Sequence, residues 1–189
     1  MKLSLGARAI LCLNIGIVIT FTQSHDSSVG LIALAVFGIG FAVLTAIASA
    51  TAKDKLSTIE SVPITIVALI IGALALLVQT QNSAAGVDTF IALVTGWGLI
   101  SGAFELFLAR RAGFGTVAGR DSLITSVLSL ALGILFLVAP LDIVSAVGFF
   151  GAYLVVVGVH LGISATTPTK KSGGAGKNAK GAKSKKSKS

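Results

Sequence analysis

Charge is scarce in this chain. Only 12% of its 189 residues are Asp, Glu, Lys or Arg, against about 25% in an ordinary soluble domain. Since 54% of the residues are hydrophobic, a soluble fold of this length has too little polar surface to cover its apolar content, and that class is excluded. Cysteine is nearly absent. The single Cys12 lies inside an apolar run, so no disulfide framework and no cysteine cluster can form. Signatures of catalysis are missing too. There is no Gly-x-Ser-x-Gly elbow and no His-Glu-x-x-His pair, and GAGKNAKG near the end of the chain lacks the flanking strand and helix that a phosphate loop needs. No enzymatic activity, metal or cofactor is expected.

Apolar sequence and glycine are what the chain has in quantity. Its 22 glycines suit membrane helices, where small residues let backbones approach closely. Six apolar runs cover residues 9–21, 29–50, 62–78, 87–109, 122–138 and 143–165, each 13 to 23 residues long, against the ~20 that cross a hydrocarbon core. The fold expected is all-α, a polytopic membrane domain over residues 1–165 followed by a tail over 166–189. The first run follows a short basic segment, as a signal peptide does. However, TQSHDSS after it offers no small-x-small cleavage site, and Leu11 before Cys12 does not suit a lipoprotein site. It is therefore read as the first span. Pro63 is placed in the first turn of the third, where proline is tolerated.

Alternating the six spans puts Lys2, Arg8, Lys53, Lys55, Arg110, Arg111 and Arg120 on one side, together with all eight tail lysines. The other side receives His25, Asp26, Asp88 and Asp142 and no Lys or Arg. By the positive-inside rule both termini are expected in the cytoplasm. The aspartates in the opposite turns are read as helix-start residues that favour the positive end of the macrodipole. The tail carries Lys170, Lys171, Lys177, Lys180, Lys183, Lys185, Lys186 and Lys188 among Gly, Ser and Ala with no aromatic residue. Such a segment is expected to be disordered and to gain about 1 kcal/mol per lysine near anionic lipid headgroups. Nothing in it points to specific recognition of nucleic acid.

An internal period is visible. Phe41, Trp97 and Tyr153 stand 56 residues apart, as do Ala46, Gly102 and Gly158. Gly16, Gly72 and Gly133 lie near the middle of the first helix of each successive pair. The spans thus read as three helical hairpins. Gly98 with Gly102, and Gly158 with Gly162, are small residues four apart and make candidate contact ridges, either within the chain or with a second copy or a partner membrane protein.

Glu105 falls on the Gly98 and Gly102 stripe of its helix. A carboxylate in the hydrocarbon costs roughly 2.5 to 3.5 kcal/mol on insertion scales, so it should face other helices. Together with His160, Asn14, Ser126 and Ser129 it forms a candidate polar layer in the half of the membrane next to the basic side. That layer has two readings: glue between helices, or a proton or small-solute path.

The last pair, LGILFLVAPLDIVSAVGFFGAYLVVVGVHLGISA, with Gly133, Pro140, Gly148 and Gly158, resembles the HdeD family of bacterial inner-membrane proteins. The resemblance spans roughly residues 9–165 and implies a stress-related membrane protein, since a named member of that family is linked to acid resistance. The first two pairs depart from it by ending in FTQSHD and VQTQNS without the proline, and the lysine tail has no place in the family pattern. The family has no defined catalytic residues, so the resemblance assigns none here.

Overall fold

A computed structural model of the chain describes residues 2–51, 55–81 and 86–167, with the side chains of residues 2, 3 and 55–60 outside that description. Helix is the only regular secondary structure among the described residues: α1 Lys2–Phe21, α2 Ser27–Thr51, α3 Lys55–Thr80, α4 Gly86–Ala112, α5 Val117–Val138 and α6 Ile143–Thr166. All six are long and apolar enough to cross a membrane. In hydrocarbon only a segment that satisfies its own backbone hydrogen bonds is stable, which is why each apolar run becomes one unbroken helix. The tail lysines lie outside the described residues.

Several helices extend beyond the apolar runs because helical backbone remains favourable in the polar interface. The stretch from Arg110 to Asp121, which reads as a loop, shrinks to four residues: α4 continues to Ala112 and α5 begins at Val117. Arg110 and Arg111 sit in the last turn of α4, where cations complement the negative end of the macrodipole. Gly113 then takes φ 84°, a left-handed conformation open to glycine. Thr116 caps α5 by accepting a hydrogen bond from the Gly119 amide at 3.0 Å. The placement of Pro63 is corrected as well. Because α3 starts at Lys55, Pro63 lies inside the helix, past its first turn.

The helices alternate in direction. At one end the Gly86 backbone approaches Ser27 and Leu31, while at the other Ser49 hydrogen-bonds Ser61 at 2.6 Å. Helices α2, α4 and α6 touch one another in the centre, and among the described residues α1, α3 and α5 meet only those three. The most intimate pairs are α4 with α5, α2 with α3, and α1 with α6. The three hairpins into which the sequence divides, α1–α2, α3–α4 and α5–α6, are looser. Glycines explain the difference. Gly38 of α2 lies against Gly72 of α3, Gly98 of α4 against Gly133 of α5, and Gly16 of α1 against the Gly151 carbonyl and Val155 of α6. With lipid as apolar as the helices, such backbone-to-backbone van der Waals contact is the main attraction available.

Along the central axis runs a ladder of aromatic rings. Phe37 and Phe41 of α2 meet Trp97 of α4 edge-on at 5.0 and 5.4 Å, and Phe150 of α6 bridges Phe37 and Phe90 at 6.0 and 5.8 Å. Large apolar side chains such as Ile10, Phe21, Leu77, Phe107, Leu137 and Ile163 point outward, as a lipid-facing surface requires.

On the acidic face two aspartates hold helix starts. Asp142 accepts hydrogen bonds from the Ser145 amide at 2.9 Å and its hydroxyl at 2.8 Å, and Asp26 accepts from the Val29 amide at 2.9 Å. In both, the backbone donor holds the carboxyl below its usual range. A lowered native value means that the stabilisation is complete above the unfolded carboxyl value of ~3.9 and is lost as pH falls through the lowered one. Asp142→Ala is therefore expected to reduce the thermal midpoint at neutral pH and to leave it unchanged in strong acid, read by scanning fluorimetry across pH.

Candidate functional site

The glycines that bring α4 and α5 together also bring their polar side chains into the bundle. Ser126 of α5 is fully buried and donates to the Gly102 carbonyl at 2.8 Å. One turn along, the buried Ser129 hydroxyl lies 2.9 Å from the Tyr153 hydroxyl of α6, which accepts from Trp97 Nε1 at 3.2 Å. The Trp97–Tyr153–Ser129 chain thus ties α4, α5 and α6 together at the centre. Ser101 and Thr45, buried one turn further towards the basic end, return their hydroxyls to the Trp97 and Phe41 carbonyls of their own helices at 2.6 Å each.

Next to this seam is a residue that the sequence reading treats only as a topology marker. Arg8 of α1 turns inward. Its Nη2 donates to Thr45 Oγ1 at 2.7 Å, its guanidinium lies 4.6 Å from the centroid of the Phe41 ring, and its Nε is buried without a hydrogen-bond partner. Position explains the orientation: the buried face of α1 is Cys12, Ile15 and Ile19, and Arg8 precedes Cys12 by four residues, so it falls on the same stripe. A cation under an aromatic face gains about 0.5 to 2 kcal/mol, more as water is removed. Glu105, half-buried on α4, attracts Arg8 electrostatically and is hydrogen-bonded by the Ser122 side chain at the start of α5.

The remaining members of the expected layer separate. His160 is half-buried on α6, with Nε2 3.2 Å from the Asp121 carbonyl of α5, a contact that places the ring proton on Nε2. Its partner lies in the first turns of α5, as does Ser122, which hydrogen-bonds Glu105. Asn14 does not join them. It is exposed on the outside of α1 and donates to the Ile10 carbonyl of its own helix at 2.8 Å, because position 14 lies almost opposite Cys12 around the helix. The contact ridges are filled from within the chain. A side chain at Gly98 would strike Gly133, one at Gly102 would strike Leu130, and one at Gly158 would strike Leu13 and the Ala9 carbonyl; a Cβ added at Gly162 would meet only the Ala9 Cβ, at 3.9 Å.

Six membrane-length helices around a directly hydrogen-bonded polar seam define a multi-pass helical membrane protein. Compared with known proteins, the chain matches no family model, no curated protein sequence and no solved structure. No group of three or more His, Cys, Asp or Glu side chains able to hold a metal occurs among the described residues.

Proposed function

We propose that this protein is a non-enzymatic structural or accessory component of a bacterial inner membrane, stress-related in the manner that its resemblance to the HdeD family implies, with both termini in the cytoplasm. The observation that carries the proposal is the direct hydrogen bonding of the central seam. Ser126, Ser129, Tyr153 and Trp97 bond directly to one another and to backbone, whereas a solute or proton path needs polar groups facing water between the helices. Assembly with a second copy or another membrane protein would use the outward apolar surface, because the glycine ridges are occupied internally. Association of the lysine tail with anionic headgroups belongs to the same picture.

Reconstitution into liposomes under an imposed pH gradient tests the reading. The gradient is expected to decay no faster than in protein-free liposomes. Faster decay that disappears in Glu105→Gln would replace the structural role with a proton path.

A further inference from the structure

Above their crossing at Gly98 and Gly133, α4 and α5 leave a groove of about 460 Å³ lined by Ile91, Ala92, Gly96, Phe136 and Leu137, with Asp88 at its mouth. A second groove of about 230 Å³ runs on the other flank of α4, against Val67, Ile70 and Ile71 of α3. Ala92 and Gly96 belong to both. Their small size makes a saddle across α4 with a shallow apolar depression on either side. The Thr95 hydroxyl is turned back onto the Ile91 carbonyl at 2.8 Å, so it adds little polarity to the wall.

We propose that this saddle is a binding site for a two-chain phospholipid bearing a primary ammonium headgroup, one acyl chain in each groove and the headgroup over Asp88. Length fits: Asp88 to Gly96 is eight residues, or ~12 Å of helix, so the chains enter the hydrocarbon while the headgroup stays at the surface. Charge fits as well. Asp88 lies in the first turn of α4, whose positive dipole end favours the lipid phosphate while the carboxylate takes the ammonium. A second copy of the chain is a poorer occupant, because the face that carries Asp26, Asp88 and Asp142 has no Lys or Arg to offer.

The test is native mass spectrometry of the full chain purified from bilayers containing phosphatidylethanolamine and phosphatidylglycerol with identical acyl chains. The wild type is expected to retain the ethanolamine lipid several-fold over the glycerol lipid. Asp88→Asn should abolish that preference, and Gly96→Leu should lower retention of both lipids. An added Cβ at Gly96 meets nothing within 4 Å, so this variant is expected to fold, and Gly96→Ala provides a milder step in the same direction. Equal retention of the two lipids by wild type, an unchanged preference in Asp88→Asn, or unchanged lipid in Gly96→Leu overturns the site. A wild-type dimer that Gly96→Leu converts to monomer without loss of lipid overturns it in favour of a second copy.

Discussion

Gly98→Leu is expected to cost roughly 3 kcal/mol or more, the upper end for over-packing, and to remove most of the monodisperse folded protein from detergent extracts. A Cβ at this position would lie 2.5 Å from the Gly133 nitrogen, 2.7 Å from its Cα and 2.7 Å from the Ser129 carbonyl oxygen. Every one of those atoms is backbone, so no rotamer change can relieve the clash; α5 as a whole must move. Moving it opens the pair that is the most intimate in the fold and separates Ser126 from the Gly102 carbonyl. Against a total stability of about 5 to 15 kcal/mol, such a loss is a large fraction. The internal comparison is Gly96→Leu, the same change two residues away on the lipid-facing side of α4, where nothing lies within 4 Å; it is expected to stay within about 0.5 kcal/mol. Thermal midpoints in detergent distinguish the two variants, and equal effects would refute the claim that the Gly98 and Gly133 crossing organises the bundle.

That contrast marks the limit of what the sequence makes legible. Six spans are readable because crossing a membrane requires one apolar run per helix, and each run became a helix. Which helices pair is much harder to read, since in lipid both faces of a helix are apolar and a glycine announces a close neighbour without naming it. Short turns suggest the hairpin α5–α6, yet the closest partner of α5 is α4 and that of α6 is α1. Trp97 lies against Phe41 and is hydrogen-bonded to Tyr153, a meeting that comes from the packing of α2, α4 and α6 and that the 56-residue spacing does not state. Of the polar layer, Ser126 and Ser129 are buried in the seam, whereas Asn14 faces outward. The missed residue was Arg8. Charge counting registered its sign, and only its register with Cys12, Ile15 and Ile19 carried the signal that it turns inward.

Arg8 and Glu105 are expected to behave as one neutral unit, so that losing both costs less than losing either. Arg8→Gln alone leaves the Glu105 carboxylate inside the span without its cation, and Glu105→Gln alone leaves a guanidinium held by Thr45 and the Phe41 ring with no counter-charge. Breaking a buried pair in direct contact costs about 3 to 5 kcal/mol; Arg8 and Glu105 attract each other with no ion pair between them within 4 Å, so about 1 kcal/mol per single variant is the expected scale. In the double variant two amides replace two charges, which removes the desolvation cost along with the attraction. Glutamine at position 105 can still receive the Ser122 hydroxyl. The double variant should therefore recover at least half of either single loss, a coupling well outside the ~0.5 kcal/mol at which independent sites add. Unfolding of the four proteins in a common detergent measures that coupling. Additive losses would mean that the two charges do not sense each other, and that Glu105 is held by Ser122 alone.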